Sequence, residues 1–571
     1  MKNVLNNVAA TPVRELQAIK SGDRTVYSSE DKSEVFAEHF ANVFQDRCDL
    51  NFSQAELANF ELVRSQVENE LTLKPTIPSE TSTETSIRNL ISESDLVATL
   101  KALKKTSPGE DRIHNAVLKK DSVQFRQCLL TLFRVVLSTG IVPRTWKHGV
   151  VCLIEKPGKD PTTCKGYRPI TLINTIAKLF DKIVAYKLRR ELEAANWLCA
   201  EQSAYRPRHG CPDHLYRLSR DASQALQSGR ECTAVSLDVE AAFDTISHSL
   251  LRSKVVNCPI HPLWKRYLSE SLRDRQFQVR VEGVVSRPQS IGAGVPQGSV
   301  LSPTLFLIFV NDLFVNHMNH RIYKGILADD VIIWTVDERS YGDRLAVKYR
   351  LEDTLELVAG WYRSNRLKLN ATKTQALRFS LAREDNSVKI DFQGLTLEWS
   401  SHLKYLGIVF DKRLSWQHQA KAVSAKVEAR LAGLRRLRGK SFKLPSPLAL
   451  LVYKSYVRPV MEYGCEGTLA MIPHRLDVLQ KLQNRALRTC LGRDRYTRLS
   501  ELHELGGVPL LEDRFRLHVV RYVVRAIENQ TLVGRELLRD LRETPVEPSR
   551  PSVVSPLDLV REILSVLDKS D

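Results

Sequence analysis

The stretch GILADDVIIW, residues 325–334, restricts the fold more than any other segment of the sequence. It places two adjacent aspartates, Asp329 and Asp330, between two runs of apolar residues that favour β-strands. This pattern predicts a hairpin with both carboxylates at or near its tip. Adjacent anions repel each other, and a cation between them would help to keep them charged. A plain surface turn is the alternative, because aspartate is common in turns.

A third carboxylate is expected from elsewhere in the chain if the pair binds a divalent cation. The segment TAVSLDVEAAFD, residues 233–244, has the pattern of a strand that ends at Asp238 and is followed by a helix. Ligand-binding residues gather at the carboxyl ends of strands. Asp238, Asp329 and Asp330 would together form an oxygen site suited to Mg²⁺. Two such ions about 4 Å apart would support a phosphoryl transfer.

A Gly- and Pro-rich loop lies between these two segments and runs into an apolar helix. It begins the stretch GAGVPQGSVLSPTLFLIFVNDL, residues 292–313. Gly294 and Gly298 permit a close approach of the backbone to a ligand, and Gln297 can reach a sugar or a base. By itself such a loop indicates little about function.

The charge balance favours a polyanionic partner. Lysine and arginine number 84 against 66 aspartates and glutamates, which gives a formal net charge of +18, and nucleic acid is the common partner of such proteins. No apolar run is long enough to span a bilayer, and the N-terminus lacks the apolar core of a secretory signal. Ten cysteines without a CxxC pair fit a reducing compartment. We therefore expect an intracellular protein, in nucleus or cytoplasm, without a membrane partner.

The chain of 571 residues is too long for a single core, so several subdomains are expected. Strand-like runs alternate with helical ones from about residue 140 to 410, an α+β pattern, and the sequence beyond is mainly helical. Amphipathic helices are predicted over 29–47 and from Ser92 onward. Polar or proline-rich breaks are predicted at 72–88 and 542–556.

Six motifs occur in the order in which they follow one another in reverse transcriptases. They are YRPITL (167–172), AVSLDVEAAFD (234–244), GVPQGSVLSPTLF (294–306), LADD (327–330), LNATKT (369–374) and LKYLGIVFD (403–411). In detail the sequence resembles the reverse transcriptases of non-LTR, LINE-type retrotransposons of the jockey-like group. The similarity covers roughly residues 90 to 500, which is most of the chain.

The resemblance implies a right-hand polymerase of the α+β class, with fingers, a palm that carries an antiparallel sheet, and a helical thumb. The implied division of the chain is an N-terminal helical extension or linker (1–90), fingers (91–232), palm with part of the fingers interleaved (233–411), helical thumb (412–500) and a C-terminal helical tail with a Pro-rich connector (501–571). The resemblance also implies an RNA template, a DNA primer and dNTP substrates. The implied cofactor is a pair of Mg²⁺ ions, for which Mn²⁺ can substitute.

The resemblance assigns roles to residues around the aspartates. Asp238, Asp329 and Asp330 would be catalytic and would bind metal, with the carbonyl of Val239 as a further ligand. Phe243 would close under the sugar of the incoming nucleotide. A bulky ring there fills the space that a 2′-hydroxyl needs, and so favours deoxynucleotides.

Further residues would contact the incoming dNTP or its leaving group. Arg168 and Lys156 would grip the triphosphate, a role for which arginine is suited by its bidentate geometry. Gln297 and Gly298 belong to the loop that resembles the nucleotide-binding loop of the family. Lys373 resembles the lysine that protonates the pyrophosphate leaving group. A surface lysine at the start of a strand is the alternative for Lys373.

A basic helix is predicted where the family has its thumb. The segment 418–443 combines an apolar stripe with a face of seven cations: Lys421, Lys426, Arg430, Arg435, Arg436, Arg438 and Lys440. A solvated face is the usual meaning of such a charge run, and contact with the backbone of a duplex is the functional interpretation. Arg206 in QSAYR is similarly assigned to a segment that contacts the template.

We therefore expect an RNA-directed DNA polymerase that extends a primer 3′-hydroxyl on an RNA template. The alternatives are a degenerate element remnant that only binds nucleic acid, and an RNA-dependent RNA polymerase, against which Phe243 argues.

Leu327 departs from the aromatic residue that the family usually has before its Ala-Asp-Asp. We find no endonuclease-like segment in the first 90 residues, no Cys–His knuckle and no RNase H carboxylate set, and so expect a polymerase-only protein.

Overall fold

The structure is a computed structural model, and it describes most of the chain. The described residues are 16–22, 24–46, 54, 58, 61–62, 65–66, 87–120, 122–315, 321–337, 344–382, 388–439, 441–468, 471, 473–543, 557–558 and 560–561. In this part of the chain, no helix is both long and apolar enough to cross a membrane.

The strands and helices are numbered here in chain order. The strands are β1 (Ile19–Ser21), β2 (Arg24–Val26), β3 (His148–Glu155), β4 (Tyr167–Ile173), β5 (Cys232–Leu237), β6 (Arg275–Val281), β7 (Val284–Val285), β8 (Gln289–Ile291), β9 (Tyr323–Leu327), β10 (Asp330–Val336), β11 (Gln375–Phe379), β12 (Ile390–Phe392), β13 (Leu395–Leu397), β14 (His402–Tyr405) and β15 (Ile408–Asp411). The α-helices are α1 (Ser29–Val43), α2 (Glu93–Lys101), α3 (Asn115–Leu118), α4 (Val123–Thr139), α5 (Arg144–Lys147), α6 (Thr175–Ala194), α7 (Cys211–Gln227), α8 (His248–Val256), α9 (Pro262–Ser271), α10 (Ser302–Val310), α11 (Arg344–Ser364), α12 (Gln417–Arg438), α13 (Ser446–Val452), α14 (Arg458–Glu462), α15 (Cys465–Thr468), α16 (Pro473–Leu491), α17 (Leu499–Gly506), α18 (Leu511–Glu528) and α19 (Leu532–Glu543).

The chain forms two compact units, each built from three separate segments. The first unit consists of Met1–Cys199, Val239–Val315 and Gly360–Lys368. The second unit consists of Ala200–Asp238, Asn316–Ala359 and Leu369–Asp571.

The first unit contains a mixed sheet that is covered by α1. Its strand order is β4-β3-β6-β7, with β8 also paired to β6; β3 and β6 run parallel and the other pairs are antiparallel. Phe36 and Phe40 of α1 are buried in a core with Val151 and Phe277 of the sheet. The predicted amphipathic helix is thus confirmed, although it ends at Val43.

The second unit contains an antiparallel sheet in the order β11-β5-β10-β9. Helix α7 packs on this sheet, because Leu218 and Ala222 share a core with Ile332 and Trp334. Fully buried strands such as β10 are expected to be continuously apolar, and the run from Val331 to Trp334 has this composition. Mixed helix and sheet, predicted from the alternating sequence pattern, is therefore confirmed.

Beyond the hairpins β12–β13 and β14–β15, the described part of the second unit is mainly helical, as predicted. The apolar stripe of α12 is buried at Val423, Val427, Leu431 and Leu434, so this helix presents its polar residues away from the core. The predicted helix at Ser92 is also confirmed, since Ser92 caps α2 with a reciprocal bond to Asp95.

The two predicted breaks fall almost entirely outside the described residues. Of 72–88, only Ile87 and Arg88 are described, and both are helical. Of 542–556, only Arg542 and Glu543 are described, and they form the end of α19 rather than a connector. Apolar residues recur along α19 at helical spacing and pack in one core, which explains why the helix continues this far.

Candidate active site

The two adjacent aspartates lie at the tip of a tight hairpin, as predicted. Strand β9 ends at Leu327 and β10 begins at Asp330, and these two residues pair across the ladder. Ala328 and Asp329 therefore form a two-residue turn, in which Ala328 has a φ of 58°. A positive φ at this position matches the twist of the flanking strands. The apolar walls of the hairpin are buried, whereas Asp329 and Asp330 are exposed.

Asp238 lies at the same end of the sheet. Strand β5 ends at Leu237, which pairs with Val331 of β10. The next residue along β5, Asp238, therefore lies beside Asp330, the residue that precedes Val331. Because β5 and β10 are antiparallel, the end of one strand meets the start of the other. The structure thus brings together the three carboxylates that the sequence assigned to one site.

Electrostatics in this cluster indicate an excess of negative charge. Loss of surrounding water, together with the charges of Asp329 and Asp238, raises the pKa of Asp330 to about 6. Loss of water also raises the pKa of Asp329, to which the charge of Asp238 adds, while a backbone hydrogen bond opposes it. Three crowded, accessible carboxylates are hard oxygen donors of the kind that Mg²⁺ prefers, so this donor set fits a divalent cation.

Lys373 is held at the same site by a 3₁₀ turn, Ala371–Lys373, that precedes β11. Asn370 caps this turn, and its backbone N–H donates to the Asp238 carbonyl at 2.8 Å. Lys373 Nζ lies 3.1 Å from Asp238 Oδ2, with 61% of the lysine side chain exposed. The structure therefore places Lys373 beside a carboxylate of the cluster. An isolated surface lysine, the alternative interpretation, would not need this position.

Phe243 belongs to the first unit, where its ring is fixed by stacking. It lies on Phe306 of α10 with a centroid separation of 4.2 Å and an interplanar angle of 17°. The Phe243 carbonyl also accepts the backbone N–H of Val295 at 2.8 Å. Val239, whose carbonyl is predicted to bind metal, is the first residue of the segment Val239–Val315 of the first unit, to which Phe243 also belongs.

The Gly-rich loop is attached to the first unit on two sides. Gln297 Nε2 donates to both carboxylate oxygens of Asp244 at 2.9 Å, and the Gln297 carbonyl accepts the Thr171 N–H at 2.7 Å. Gly298 has a φ of 107°, and a Cβ there would lie only 3.0 Å from the Thr171 carbonyl oxygen. The positive φ favours glycine, and the approach leaves little room for a Cβ.

The two predicted triphosphate-binding cations lie on the β3–β4 hairpin of the first unit. Arg168 is exposed on β4, opposite Ile154. Lys156 is partly buried, and its Nζ donates to the Lys165 carbonyl at 3.0 Å. Arg168 is thus the more accessible of the two, whereas Lys156 also holds the hairpin together.

The structure reveals a residue near the aspartates that sequence reasoning missed. Gln202 is 1% exposed, and its Oε1 accepts the N–H of Ala328 in the β9–β10 turn at 3.4 Å and that of Ala204 at 2.8 Å. The predicted template residue Arg206 donates to the Gln202 carbonyl at 3.0 Å. A single buried polar residue such as Gln202 produces no periodic pattern in the sequence. Its burial could be predicted only from the QSAYR segment to which it belongs.

The basic face of α12 divides into exposed and engaged side chains. Lys421, Lys426, Arg435 and Arg436 are exposed, and Arg435 Nη2 also lies 3.8 Å from Glu428 Oε2. Arg430 is different, because its guanidinium lies 4.3 Å from the ring centroid of Tyr456. Arg438 donates to the Thr489 and Leu444 carbonyls and so stabilises the helical region itself. Lys440 lies outside the described residues.

Comparison with known proteins identifies one matching family and several relatives. Residues 154–410 match the family described as reverse transcriptase (RNA-dependent DNA polymerase). The chain is 29% identical to a probable RNA-directed DNA polymerase from transposon BS of Drosophila melanogaster, over 88% of this chain and 55% of that protein. It is 27% identical to the RNA-directed DNA polymerase from mobile element jockey of the same species, over 89% of this chain and 54% of that protein. A probable RNA-directed DNA polymerase from transposon X-element, also from D. melanogaster, is 26% identical over 93% of this chain and 56% of that protein.

The chain spans about half the length of these curated relatives. The matched family generally uses divalent metal ions, which agrees with the carboxylate donors at the tip of the β9–β10 hairpin. The predicted resemblance to LINE-type reverse transcriptases is thus confirmed by the match of residues 154–410 to the reverse transcriptase family and by these relatives.

Proposed function

We propose that the protein is an RNA-directed DNA polymerase that extends the 3′-hydroxyl of a primer on an RNA template with dNTPs. The observation that carries this proposal is the strand register, which sets Asp238 beside the Asp329–Asp330 turn. The relatives named above carry the name RNA-directed DNA polymerase, two of them as probable ones, so neither the binding-only nor the RNA-polymerase alternative is favoured.

Asp238, Asp329 and Asp330 would hold the metal, which we propose to be two Mg²⁺ ions, with the carbonyl of Val239 as an additional ligand. Bound Mg²⁺ supplies a Lewis acid that lowers the pKa of a hydroxyl and stabilises charge on phosphoryl oxygens. Lys373, next to Asp238, would donate a proton to the pyrophosphate leaving group. The exposure of its ammonium keeps it accessible to a polyanionic substrate.

Residues of the first unit would bind and select the nucleotide. Arg168 and Lys156 would attract the triphosphate, and the loop of Gln297 and Gly298 would line the base and sugar. Phe243, held flat against Phe306, would exclude a 2′-hydroxyl by occupying its volume. This selection requires a ring that cannot rotate away, which the stacking provides.

The finer architecture is likewise a proposal. The order of motifs supports the right-hand division into fingers, palm and thumb, with the boundaries given above. The exposed cations Lys421, Lys426, Arg435 and Arg436 on α12 would contact the phosphates of the template–primer duplex. Location in the nucleus or cytoplasm stays a prediction.

A primer-extension assay on poly(rA)/oligo(dT) with dTTP and Mg²⁺ tests the function. We expect incorporation by the wild-type protein and loss of incorporation in Asp329→Ala and Asp330→Ala. Asp353→Ala, which removes an exposed carboxylate from α11 in the same unit, is the matched control and should retain activity. Duplex binding without any incorporation would instead support the binding-only alternative.

A further inference from the structure

A pair of acidic side chains near the C-terminus is buried against α7 in the second unit. Glu536 and Asp540 belong to α19, and only 11% and 13% of their side chains are exposed. Arg217 of α7 binds Glu536 with two parallel bonds, Nε to Oε2 at 3.0 Å and Nη2 to Oε1 at 2.9 Å. Arg220 contacts Glu536 at 3.0 Å and Asp540 at 3.1 Å. Both acids lie outside the segment that matches the reverse transcriptase family.

The same arginine contacts both strands of the catalytic hairpin. Arg217 Nη1 donates to the Lys324 carbonyl of β9 at 2.8 Å, and its guanidinium lies 5.2 Å from the ring centroid of Trp334 on β10. Trp334 Nε1 in turn donates to Asp221, which also accepts from Arg220 Nε, both at 2.8 Å. The strands that lead to Asp329 and Asp330 are therefore connected to α19 through one buried set of charges.

The contact with Arg217 gives the Lys324 carbonyl, which lies on the unpaired edge of the sheet, a hydrogen-bond donor. Strand β9 is the outer strand, and Ile326 uses its outward N–H and C=O to pair with Glu201 and Ser203. Lys324 is two residues earlier, so its carbonyl faces the same outward side. Arg217 supplies the donor there. Gly325 allows α7 this close, because a Cβ on it would lie 2.6 Å from His214 Nδ1.

Apolar packing fixes α19 in the position that these bonds require. A separate core joins α7 to the C-terminal helices through Tyr216, Val519, Val523, Val533, Leu537, Leu557 and Val560. Gly534 of α19 touches the backbone of α18 so closely that a Cβ would overlap the Ala526 carbonyl. Removing one partner of a charge pair this buried leaves the other charge uncompensated and destabilises the fold. Glu536 and Arg217 therefore each need the other to stay charged in this position.

We propose that Glu536 is a positioning residue for the catalytic aspartates, acting through Arg217 on β9 and β10. The proposal rests on the proposed function, since it assumes that Asp329 and Asp330 form the metal site. Glu536 sets the plane of the Arg217 guanidinium, and Arg217 holds the two strands whose turn carries the aspartates. Helix α19 is thereby a working part of the polymerase.

The test compares Glu536→Gln and Glu536→Ala with Glu512→Ala, because the Glu512 side chain on α18 is 59% exposed. Mn²⁺ affinity, measured by electron paramagnetic resonance, gives a readout that does not depend on turnover. Loss of a residue that orients a metal site costs about 10- to 100-fold in affinity or activity. We expect losses of this size in Mn²⁺ affinity and kcat for Glu536→Ala and smaller losses for Glu536→Gln. KM for dTTP and Kd for the primer–template should stay within about twofold of wild type, and Glu512→Ala should match wild type.

Glu536→Gln is nearly isosteric and keeps the test usable if the alanine variant does not fold. A folded glutamine variant with wild-type kcat and Mn²⁺ affinity would overturn the proposal, as would a lower Tm with both quantities unchanged. Failure of the proposed function is distinct from either result. If wild-type protein incorporates no dTTP, the Mn²⁺ affinities of the variants still decide whether Glu536 positions the aspartates.

Discussion

Lys373 Nζ lies 3.1 Å from Asp238 Oδ2, so that an ammonium group occupies the edge of the carboxylate cluster. This pairing follows from the LNATKT turn, whose Asn370 N–H is bonded to the Asp238 carbonyl. A divalent cation that binds Asp238 must therefore compete with an internal cation. The same lysine is thus a counter-ion of the free protein and a proposed proton donor during the reaction.

Lys373→Ala is expected to tighten divalent cation binding in the absence of nucleotide. Removing the ammonium leaves Asp238 without this partner, and an exposed ion pair is worth about 0.2–1 kcal/mol, which corresponds to an affinity gain of up to about fivefold. Titration with Mn²⁺, followed by electron paramagnetic resonance, measures this change. Lys373→Arg retains the charge and should match wild type, and an unchanged affinity in the alanine variant would argue against competition.

Lys373→Ala is also expected to reduce kcat, in contrast to its effect on metal affinity. General acid catalysis contributes about 10²–10⁴-fold to the rate, so a loss in this range is predicted if Lys373 protonates the leaving group. Single-turnover primer extension with dTTP measures the chemical step. If Lys373→Ala has the kcat of the wild type, Lys373 is not the proton donor, and its role is limited to the electrostatic contact with Asp238.

Asp330→Asn is expected to stabilise the metal-free protein at neutral and alkaline pH. The folded-state pKa of Asp330 is raised to about 6 from 3.8, so the folded state binds a proton more tightly than the unfolded state. Stability of the wild type should therefore fall as pH rises between these values and stay low above them. Asparagine does not titrate, so the variant lacks this loss. Because Asp330 is exposed, the gain is expected to be about 1 kcal/mol or less.

Thermal unfolding in EDTA between pH 3.5 and 8 measures the Asp330 effect as a difference in Tm from wild type, over a range that includes both the ordinary and the raised pKa of Asp330. The two proteins should have similar Tm values at the acidic end, diverge as the pH rises from 3.8 to about 6, and keep a constant difference above that pH. Asp353→Asn, a change at an exposed site on α11, serves as the control. Adding Mg²⁺ should stabilise the wild type more than Asp330→Asn. A difference in Tm that is constant over this whole pH range would contradict the electrostatic explanation.

The local parts of the site could be predicted from the sequence because each follows from short-range pattern. Apolar residues on both sides of Asp329 and Asp330 predicted the hairpin, and a strand ending at Asp238 predicted the third carboxylate. The order of motifs added the roles that we propose for Phe243 and Lys373. In each of these cases the informative residues are neighbours in the chain or belong to a motif.

The long-range support of the site could not be predicted. Arg217 and Glu536 are 319 residues apart, and a single buried ion pair produces no periodicity in either helix. Gln202 likewise joins the turn at Ala328 through one side-chain oxygen. Contacts of this kind depend on how α7 and α19 pack, and packing is determined by the complementary shapes of many side chains.

Phe243→Ala is expected to relax discrimination against ribonucleotides. Forcing a group into filled space costs about 1–3 kcal/mol, so removing the ring should raise the relative use of UTP against dTTP by about 5- to 150-fold. Phe306→Leu should cause a smaller change in the same direction, because Phe243 would lose its stacking partner. Competition between UTP and dTTP in primer extension gives the ratio of kcat/KM.

Phe309→Leu is the matched control for the steric prediction. Phe309 is buried in the same helix as Phe306, but its ring packs near Trp361 rather than on Phe243. It should lower stability without changing the choice of sugar. If Phe243→Ala and wild type discriminate equally between UTP and dTTP, Phe243 does not take part in the selection of the sugar.

Reversal of Arg435 and Arg436 to glutamate is expected to weaken binding of the template–primer duplex and to reduce its salt dependence. Each phosphate contact that is lost lowers the slope of log K against log salt by about 0.9, so the double variant should lose up to about 1.8. Arg521→Glu/Arg525→Glu makes the same change in net charge on the exposed face of α18 and is the control. Fluorescence anisotropy across a range of KCl concentrations measures both slopes. If the two double variants lose the same slope, net charge rather than contact at α12 explains the binding, and the basic face of α12 is a solvated surface.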